Sequence, residues 1–329
     1  MNRKVLFTAL KLAFLVAALW WLSRKVDLHG VLGILAKADS SVLLAALLLS
    51  ACPIIIAGCR WFFLLDAIGI KISVGSLISV VYVGQFFTLF VPGLAGDDVT
   101  RGLYISRLAP KRIREALTTV VIDRGIGMSS LFLLAMVAIP SNWAVLSAES
   151  HIRWACSAFF GLGLVIFLGC LAFFGLPHRS LESLIHWLRT RIPQSRTIQD
   201  VCAVASALVL KRRAVLWCLL AAIFTQALIC GIFWLSGRAV GVELSLLAWM
   251  SFVPLILVSN LLPITFAGIG VRDYLLLLFI PATQFSPDRV LASSVLLLAL
   301  GIITALCGGL IYVLYRPAAK VDGVSAEAV

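Results

Sequence analysis

Apolar stretches recur along the whole chain, each near the length of about 20 residues that a helix needs to cross a bilayer. Six are clear candidates: Val5–Leu22, Ser41–Cys59, Ala116–Pro140, Trp154–Leu176, Ala214–Ser236 and Val290–Tyr315. Hydrophobic residues make up 62% of the 329 residues and charged residues 13%, whereas a soluble domain has roughly 45–50% and 25%. This composition excludes soluble, disordered and disulfide-scaffold chains. It predicts an all-α polytopic membrane protein that forms one membrane domain over residues 1–329.

Two further apolar stretches, Val74–Val91 and Ser245–Leu262, could either cross the membrane or enter and return. The loops favour the second alternative. Pro177–Arg213 holds seven basic residues against two acids, and Gly93–Glu115 holds five against three. Basic loops collect in the cytoplasm, and both loops reach that side only if the two stretches are re-entrant. The sequence therefore predicts six spans, two re-entrant helical hairpins and both termini in the cytoplasm.

The loop at residues 177–213 also shows helical periodicity. Leu181, Leu184, Ile185 and Leu188 recur at the spacing of one helix face, with arginines nearby. This pattern predicts an amphipathic helix at the cytoplasmic membrane surface.

Eight of the nine tryptophans, Trp61 and Trp249 among them, stand at or near the ends of apolar stretches. That position is typical of side chains anchored in the membrane–water interface. We therefore expect these tryptophans to contribute to the aromatic belts.

The excess of 27 Lys and Arg over 15 Asp and Glu gives a net charge of +12. In a membrane protein this excess follows from the positive-inside rule. No basic stretch is interleaved with aromatics as a nucleic-acid platform would be, so no nucleic-acid partner is expected. The four histidines lack metal-ligand spacing, and no nucleotide-binding motif is present. The sequence thus predicts neither a metal nor a cofactor.

The two borderline stretches end in similar motifs. The first runs into Pro92-Gly-Leu-Ala-Gly-Asp-Asp-Val-Thr-Arg101, and the second into Pro263-Ile-Thr-Phe-Ala-Gly-Ile-Gly-Val-Arg272-Asp273. The proline precedes the arginine by nine residues in both. With three spans in each half, residues 1–140 and 153–316 would form an inverted repeat, which in transporters places the substrate site between the broken segments. The alternative is coincidence, since Pro and Gly turns often follow apolar runs.

Charged residues occur where a spanning helix is expected. Asp123 and Arg124 lie about two turns into Ala116–Pro140, and each would cost roughly 2.5–3.5 kcal/mol at a helix centre. Adjacent helical residues point about 100° apart, so each needs a partner elsewhere. The available partners are Asp97, Asp98, Arg101, Arg272 and Asp273. The set predicts a polar cluster in a cavity; the alternative is a pair that snorkels to the interface.

The motifs also suit anions. Glycines allow backbone amides to approach a phosphate, and arginines offer two parallel donors to its oxygens. The candidate glycines are Gly93, Gly96, Gly268 and Gly270.

These motifs, in this order, resemble the lysylphosphatidylglycerol synthase transmembrane-region family, also called flippase-like domain proteins. The resemblance extends from about Val5 to Arg316. The family includes the membrane half of the bacterial multiple peptide resistance factor, which is fused to a soluble domain that transfers lysine from tRNA to phosphatidylglycerol. Because no such domain follows before Val329, the resemblance implies a lipid-translocating module of the bacterial inner membrane without aminoacyl-transferase activity.

The leading hypothesis is a lipid flippase that binds an anionic or polyprenyl-phosphate head group in a polar intramembrane cavity. The phosphate would be bound by Arg101, Arg124 and Arg272. These arginines would be held by Asp97, Asp123 and Asp273, which could also take an amine or a proton. Two alternatives remain: a membrane-embedded transferase in which Asp97 and Asp98 hold Mg²⁺, and an accessory subunit of a lipid-modifying system.

Overall fold

A computed structural model of the chain describes residues 33–89, 95–146, 150–191, 196–259, 270–280 and 284–314. Within these ranges every regular element is helical. The α-helices, numbered in chain order, are α1 (Ser40–Ala67), α2 (Val74–Phe87), α3 (Ala95–Leu108), α4 (Ile113–Ala138), α5 (Trp143–Leu146), α6 (Ser150–Gly175), α7 (His178–Arg191), α8 (Arg196–Leu210), α9 (Arg212–Ala239), α10 (Leu246–Ser259), α11 (Val271–Phe279) and α12 (Pro287–Leu314). Short 3₁₀ segments, Pro110–Arg112 and Ile139–Asn142, flank α4.

Five helical segments are long and apolar enough to cross a membrane. They are Ser40–Ala67, Pro110–Asn142, Ile152–Gly175, Arg212–Ala239 and Pro287–Leu314. They confirm five of the six expected spans, and the sixth, Val5–Leu22, lies outside the described residues. Helices α2 and α10 have 14 residues each, a length of about 21 Å against a hydrocarbon core of about 30 Å. The chain is therefore a polytopic, all-helical membrane protein.

Hydrogen bonds fix where the first described span begins. The carboxylate of Asp39 accepts bonds from the Ser41 hydroxyl and from the amides of Ser41 and Val42. These bonds, the hydroxyl's first, hold the pKa of the Asp39 carboxyl below its ordinary value. The cap is thus charged at neutral pH and satisfies amides that the helix leaves without partners.

Two long helices end in the same turn. Helices α1 and α9 have 28 residues each and are followed by glycines in the left-handed region, Gly69 (φ 78°) and Gly241 (φ 80°). Only glycine adopts this conformation without steric cost, and it is a common helix terminator. The surrounding segments correspond residue by residue: 67–73 reads A-I-G-I-K-I-S and 239–245 reads A-V-G-V-E-L-S. In each segment, the hydroxyl oxygen of the last serine accepts a hydrogen bond from a backbone amide in the first turn of the next helix.

The two long helices run antiparallel along their length. Three contacts fix the direction: the Asp39 amide donates to the Ala239 carbonyl at 3.2 Å, Gly231 lies against Leu49, and the Cys218 thiol donates to the Arg60 carbonyl at 3.6 Å. As residue numbers increase along α1, the numbers of the contacting residues on α9 therefore decrease. As a result, the two matching turns lie at opposite ends of the helix pair.

The other helices pack in a reciprocal pattern. Helix α2 packs on α12 while α10 packs on α4, and α9 packs on α4 while α1 packs on α12. Within each four-helix group, α1–α4 and α9–α12, consecutive helices contact each other in the same order. Such exchanged contacts are the pattern that a two-fold axis produces.

Helices α7 and α8 occupy the 177–213 loop, and the periodic segment predicted to be helical lies in α7. The two helices pack on each other, and α8 also packs on α4. Val204 and Leu208 of α8 contact a small apolar cluster with Leu64, Ile122 and Cys218. This cluster places α8 where α1 ends and where α4 and α9 begin.

Candidate functional site

Glycines allow α2 and α3 to pack closely against each other. A Cβ at Gly96 would lie 2.7 Å from the carbonyl carbon and oxygen of Phe87 and from the Thr88 nitrogen. A Cβ at Gly84 would clash with the Asp97 carboxylate. Gly96, expected at an anion-binding turn, is thus covered by the preceding helix, and Gly93 lies outside the described residues. The close approach accompanies burial of Asp97 inside the helix bundle.

Three arginines and three aspartates from α1, α3 and α4 join in one alternating chain. In order it reads Arg60, Asp123, Arg101, Asp97, Arg124, Asp98. The nitrogen-to-oxygen distances of the five links are 2.5, 3.0, 3.0, 3.1 and 2.8 Å. Arg60 binds Asp123 with two donors, Nε to Oδ1 and Nη2 to Oδ2. We call this set the ion chain; its formal charges sum to zero.

The ion chain has a buried end and an exposed end. The side chain of Asp123 is only 3% exposed, and those of Arg60, Arg101 and Asp97 are also nearly covered. At the other end, the side chains of Arg124 and Asp98 are 33% and 43% exposed. A molecule that approaches from outside the helix bundle can therefore reach the Arg124–Asp98 pair first.

The predicted cluster around Asp123 and Arg124 forms in part. Asp97, Asp98 and Arg101 are their partners, as the sequence indicated, whereas Arg272 and Asp273 bind elsewhere. Arg60 directly follows the apolar stretch Ser41–Cys59 and was not among the residues predicted from the sequence. Helix α1 continues to Ala67, so that Arg60 is enclosed. The apolar residues Phe62–Leu65 beyond it were the signal that could have found it.

Trp61 packs against Arg101 of the ion chain. Its predicted place in an aromatic belt is wrong, because it is buried. The side chain is fully buried, its Nε1 donates to the Thr119 hydroxyl at 3.0 Å, and its ring lies 5.4 Å from the Arg101 guanidinium carbon. This geometry is that of a cation–π contact. Trp249 is likewise fully buried, in the core between α9 and α10.

A second polar group lies at the start of α11. Arg272 donates from Nε to the Ser294 hydroxyl at 2.8 Å and from Nη2 to the Ser294 carbonyl at 3.1 Å. Asp273 accepts from the same hydroxyl and, at 2.9 Å, from the amide of Gly270, which has φ 90°. The Arg272–Asp273 ion pair is longer, at 3.7 Å. Of the predicted glycines, Gly270 thus caps α11, and Gly268 lies outside the described residues.

The two polar groups correspond in position. Arg101 reaches a partner 22 residues later, Asp123 on α4, and Arg272 reaches one 22 residues later, Ser294 on α12. These arginines are the ones that follow Pro92 and Pro263 by nine residues. The second group is less charged, because a serine stands where the first has an aspartate.

The aspartates of the ion chain are already bound by arginines. Asp97 accepts Arg101 Nε on Oδ1 and Arg124 Nη2 on Oδ2. The part of the chain that the structure describes contains no group of three His, Cys, Asp or Glu side chains placed to hold a metal ion. The pairing of Asp97 and Asp98 with Arg124 therefore differs from the Mg²⁺ site of the transferase alternative.

Replacing Gly84 by Ala is expected to lower stability by roughly 1–3 kcal/mol, because the new methyl group must displace the Asp97 carboxylate. Gly75→Ala on the same helix is the matched control, since nothing lies within 4 Å of a Cβ there. The measurement is the melting temperature of the purified protein in detergent. Equal melting temperatures for the two variants would show that Asp97 moves aside without cost.

Comparison with known proteins supplies a family. A search of curated proteins finds none that matches the chain. The family model described as the lysylphosphatidylglycerol synthase TM region matches residues 8–319. This match covers the helices that carry both polar groups, and with it the chain is shown to belong to the lysylphosphatidylglycerol synthase transmembrane-region family.

Proposed function

We propose that this protein is a lipid translocase, which binds the phosphate of an anionic or polyprenyl-phosphate lipid at the exposed end of the ion chain. The observation that carries this proposal is the ion chain itself. Charged side chains at membrane depth are costly and are by default candidates for a substrate or ion pathway. A head group could enter sideways and contact Arg124 while the acyl or prenyl tails stay in the bilayer.

The three arginines differ in exposure, and we assign them different roles on that basis. Arg124 is the phosphate contact, because its guanidinium is partly exposed and offers several donors in one plane. Arg60 and Arg101 are enclosed and bound to Asp123, so they position that carboxylate and the helices that carry it. Direct phosphate binding by Arg101, expected from the sequence, would require the ion chain to open.

The repeat extends the mechanism to both leaflets. The matching turns at opposite ends of α1 and α9, the exchanged helix contacts and the equivalent arginine spacings support two inverted halves, residues 1–140 and 153–316. In this arrangement α2 with α3, and α10 with α11, are the two re-entrant hairpins. Arg272 then occupies in the second half the position that Arg101 occupies in the first.

Helix lengths support different membrane depths for the two polar groups. Asp123 lies ten residues into α4 and Ser294 seven residues into α12, or about 15 and 10 Å at 1.5 Å per residue. In an inverted pair these helices begin on opposite sides of the membrane. Each group then lies nearer to the side on which its helix begins, so a crossing head group would meet one polar group from each leaflet.

The positive-inside rule then orients the protein. The end of the bundle where α4 and α9 begin carries both basic loops, so we assign it to the cytoplasm of a bacterium, with both termini on that side. Helices α7 and α8 lie at this surface.

Cysteine labelling checks this orientation. In a cysteine-free background, Ser183→Cys on α7 is expected to resist an impermeant thiol reagent in intact cells, because α7 lies in the cytoplasm. Ser141→Cys is the matched control, since Ser141 is also exposed but lies at the other end of α4, and it is expected to react. Reaction of Ser183→Cys from outside would reverse the assigned topology.

Reconstitution tests the function directly. Liposomes with fluorescent phosphatidylglycerol in both leaflets are treated with dithionite, which reduces only the outer label. We expect the purified protein to expose the inner label as well. Metal-dependent turnover of a lipid phosphate would instead favour a transferase, and inactivity in the absence of other proteins would favour an accessory subunit.

A further inference from the structure

We propose that phosphate binding at Arg124 is coupled to the uptake of one monovalent cation, a proton or Na⁺, at Asp98. This inference rests on the proposed function and adds a candidate driving force, since the sequence carries no nucleotide-binding motif. It follows from the order of charges in the ion chain.

Asp98 is the terminal member of that chain. Its Oδ1 accepts Arg124 Nε at 2.8 Å, and Arg124 is its only ion-pair partner among the described residues. The other carboxylates each bind two arginines, Asp97 through Arg101 and Arg124, and Asp123 through Arg60 and Arg101. Asp98 is also the most exposed of the three. A lipid phosphate that accepts from Nε of Arg124 therefore displaces Asp98, and the Arg124 Nη2 bond to Asp97 can stay in place.

Displacement changes the charge balance. Before binding, the three arginines compensate the three aspartates. Afterwards, the bound phosphate adds one negative charge, and Asp98 has lost its arginine within a few ångströms of that phosphate. Asp98 is then an unpaired anion close to the bound phosphate, and the two negative charges repel each other at a site that is only partly solvated. One cation bound at Asp98 restores neutrality: a proton adds to a carboxylate oxygen, or Na⁺ is coordinated by it.

Within the part of the chain that the structure describes, Arg124 alone forms an ion pair with the Asp98 carboxylate. The further titratable or charged side chains on α3 and on the elements packed against it are Tyr82, Asp97, Arg101, Tyr104, Arg107, Lys111, Arg112, Arg114, Glu115 and Asp123. Asp97, Arg101 and Asp123 belong to the ion chain, and Arg112 pairs with Glu115. The Asp98 carboxylate is thus paired to Arg124 Nε and, with its side chain 43% exposed, open to a cation from solvent.

The test measures binding of dioctanoyl phosphatidylglycerol to the full-length protein in detergent. This phosphodiester does not titrate between pH 5 and 8, so any pH dependence belongs to the protein. If the cation is a proton, affinity is expected to rise toward tenfold for each unit that the pH falls, because binding takes up a proton. If it is Na⁺, affinity is expected to rise in proportion to Na⁺ when N-methylglucamine replaces it at constant ionic strength.

Variants locate the effect. Asp98→Asn removes the charge that needs compensation, so its binding is expected to show neither dependence. Asp66→Asn is the matched control, because Asp66 is exposed at the end of α1, and it is expected to keep the wild-type dependence. Calorimetry of the wild type in two buffers with different ionisation enthalpies counts the protons directly and needs no variant.

Three outcomes overturn the inference. Binding of the wild type that is independent of both pH and Na⁺ would reject the coupling and leave the proposed function standing. A dependence that persists in Asp98→Asn would reject Asp98 as the site. Absence of phosphatidylglycerol binding under every condition would overturn both the coupling and the proposed function.

Discussion

Replacing Asp123 by Ala is expected to destabilise the protein by about 3–5 kcal/mol, the scale found when one partner of a buried ion pair is removed. Asp123 accepts bonds from Arg60 at 2.5 and 3.0 Å and from Arg101 at 3.0 Å. Its loss leaves two enclosed guanidinium groups without this acceptor. Because single domains are stable by only about 5–15 kcal/mol, much of the protein should be lost as aggregate. The measurement is the monodisperse yield and melting temperature in detergent.

Two further variants interpret that result. Asp66→Ala removes an exposed carboxylate from the end of α1 and is expected to leave the melting temperature unchanged. Asp123→Asn keeps the shape and one acceptor oxygen, and is expected to fall between the wild type and the alanine variant. A stable, monodisperse Asp123→Ala protein would show that water or another acceptor reaches Arg60 and Arg101, and hence that the ion chain is not enclosed.

The sequence predicted mainly those site residues whose charges stand among apolar residues. Asp123 and Arg124 stand out because apolar residues surround them in a span. Asp97 and Arg101 were found because they follow a Pro and Gly turn. Arg60 stands beside Trp61 at the end of an apolar stretch, which is also where interfacial anchors occur. Its burial depends on packing of α4 and α9 against α1, and this long-range contact has no local signature.

Local sequence likewise did not predict correctly where every membrane-spanning helix ends. Length and apolarity fix that five described segments can cross, but not where each helix stops. Helix α1 extends eight residues past the predicted end at Cys59, because the residues beyond Arg60 are again apolar. Its true end is set by Gly69 in the left-handed region, within a segment that recurs at 239–245. Comparing the two segments directly would have located both ends.

A glycine can either expose backbone amides to a ligand or allow close packing of helices, and the sequence does not distinguish these two roles. Gly96 was expected to expose backbone amides to a phosphate, and the structure shows it pressed against Phe87 and Thr88. Either use requires the absence of a side chain, so composition is the same in both. The distinction arises only from the neighbouring helix. It moves the proposed phosphate contact from the turn to the side chain of Arg124.

The opposite result is expected for Arg124→Ala: the fold survives and translocation falls to the level of protein-free liposomes. Arg124 is one-third exposed and its partner Asp98 more so, so water can solvate what the substitution leaves behind. Asp97 keeps its bond to Arg101. The stability cost should therefore resemble that of an exposed ion pair, about 0–1 kcal/mol, while the phosphate loses its planar donor. The measurements are dithionite-accessible lipid in liposomes and the melting temperature of the same preparation.

Conservative and remote substitutions sharpen this prediction. Arg124→Lys keeps the charge but not the paired donors, and is expected to retain a reduced rate. Arg114→Ala removes an exposed arginine from the first turn of the same helix and should transport as the wild type does. If Arg124→Ala instead fails to fold and Asp97→Asn rescues it, Arg124 neutralises Asp97 as part of the core and does not contact a head group. Since Asp123 and Arg124 are adjacent in sequence, opposite outcomes for the two would assign structure to the enclosed end of the ion chain and lipid binding to the open end.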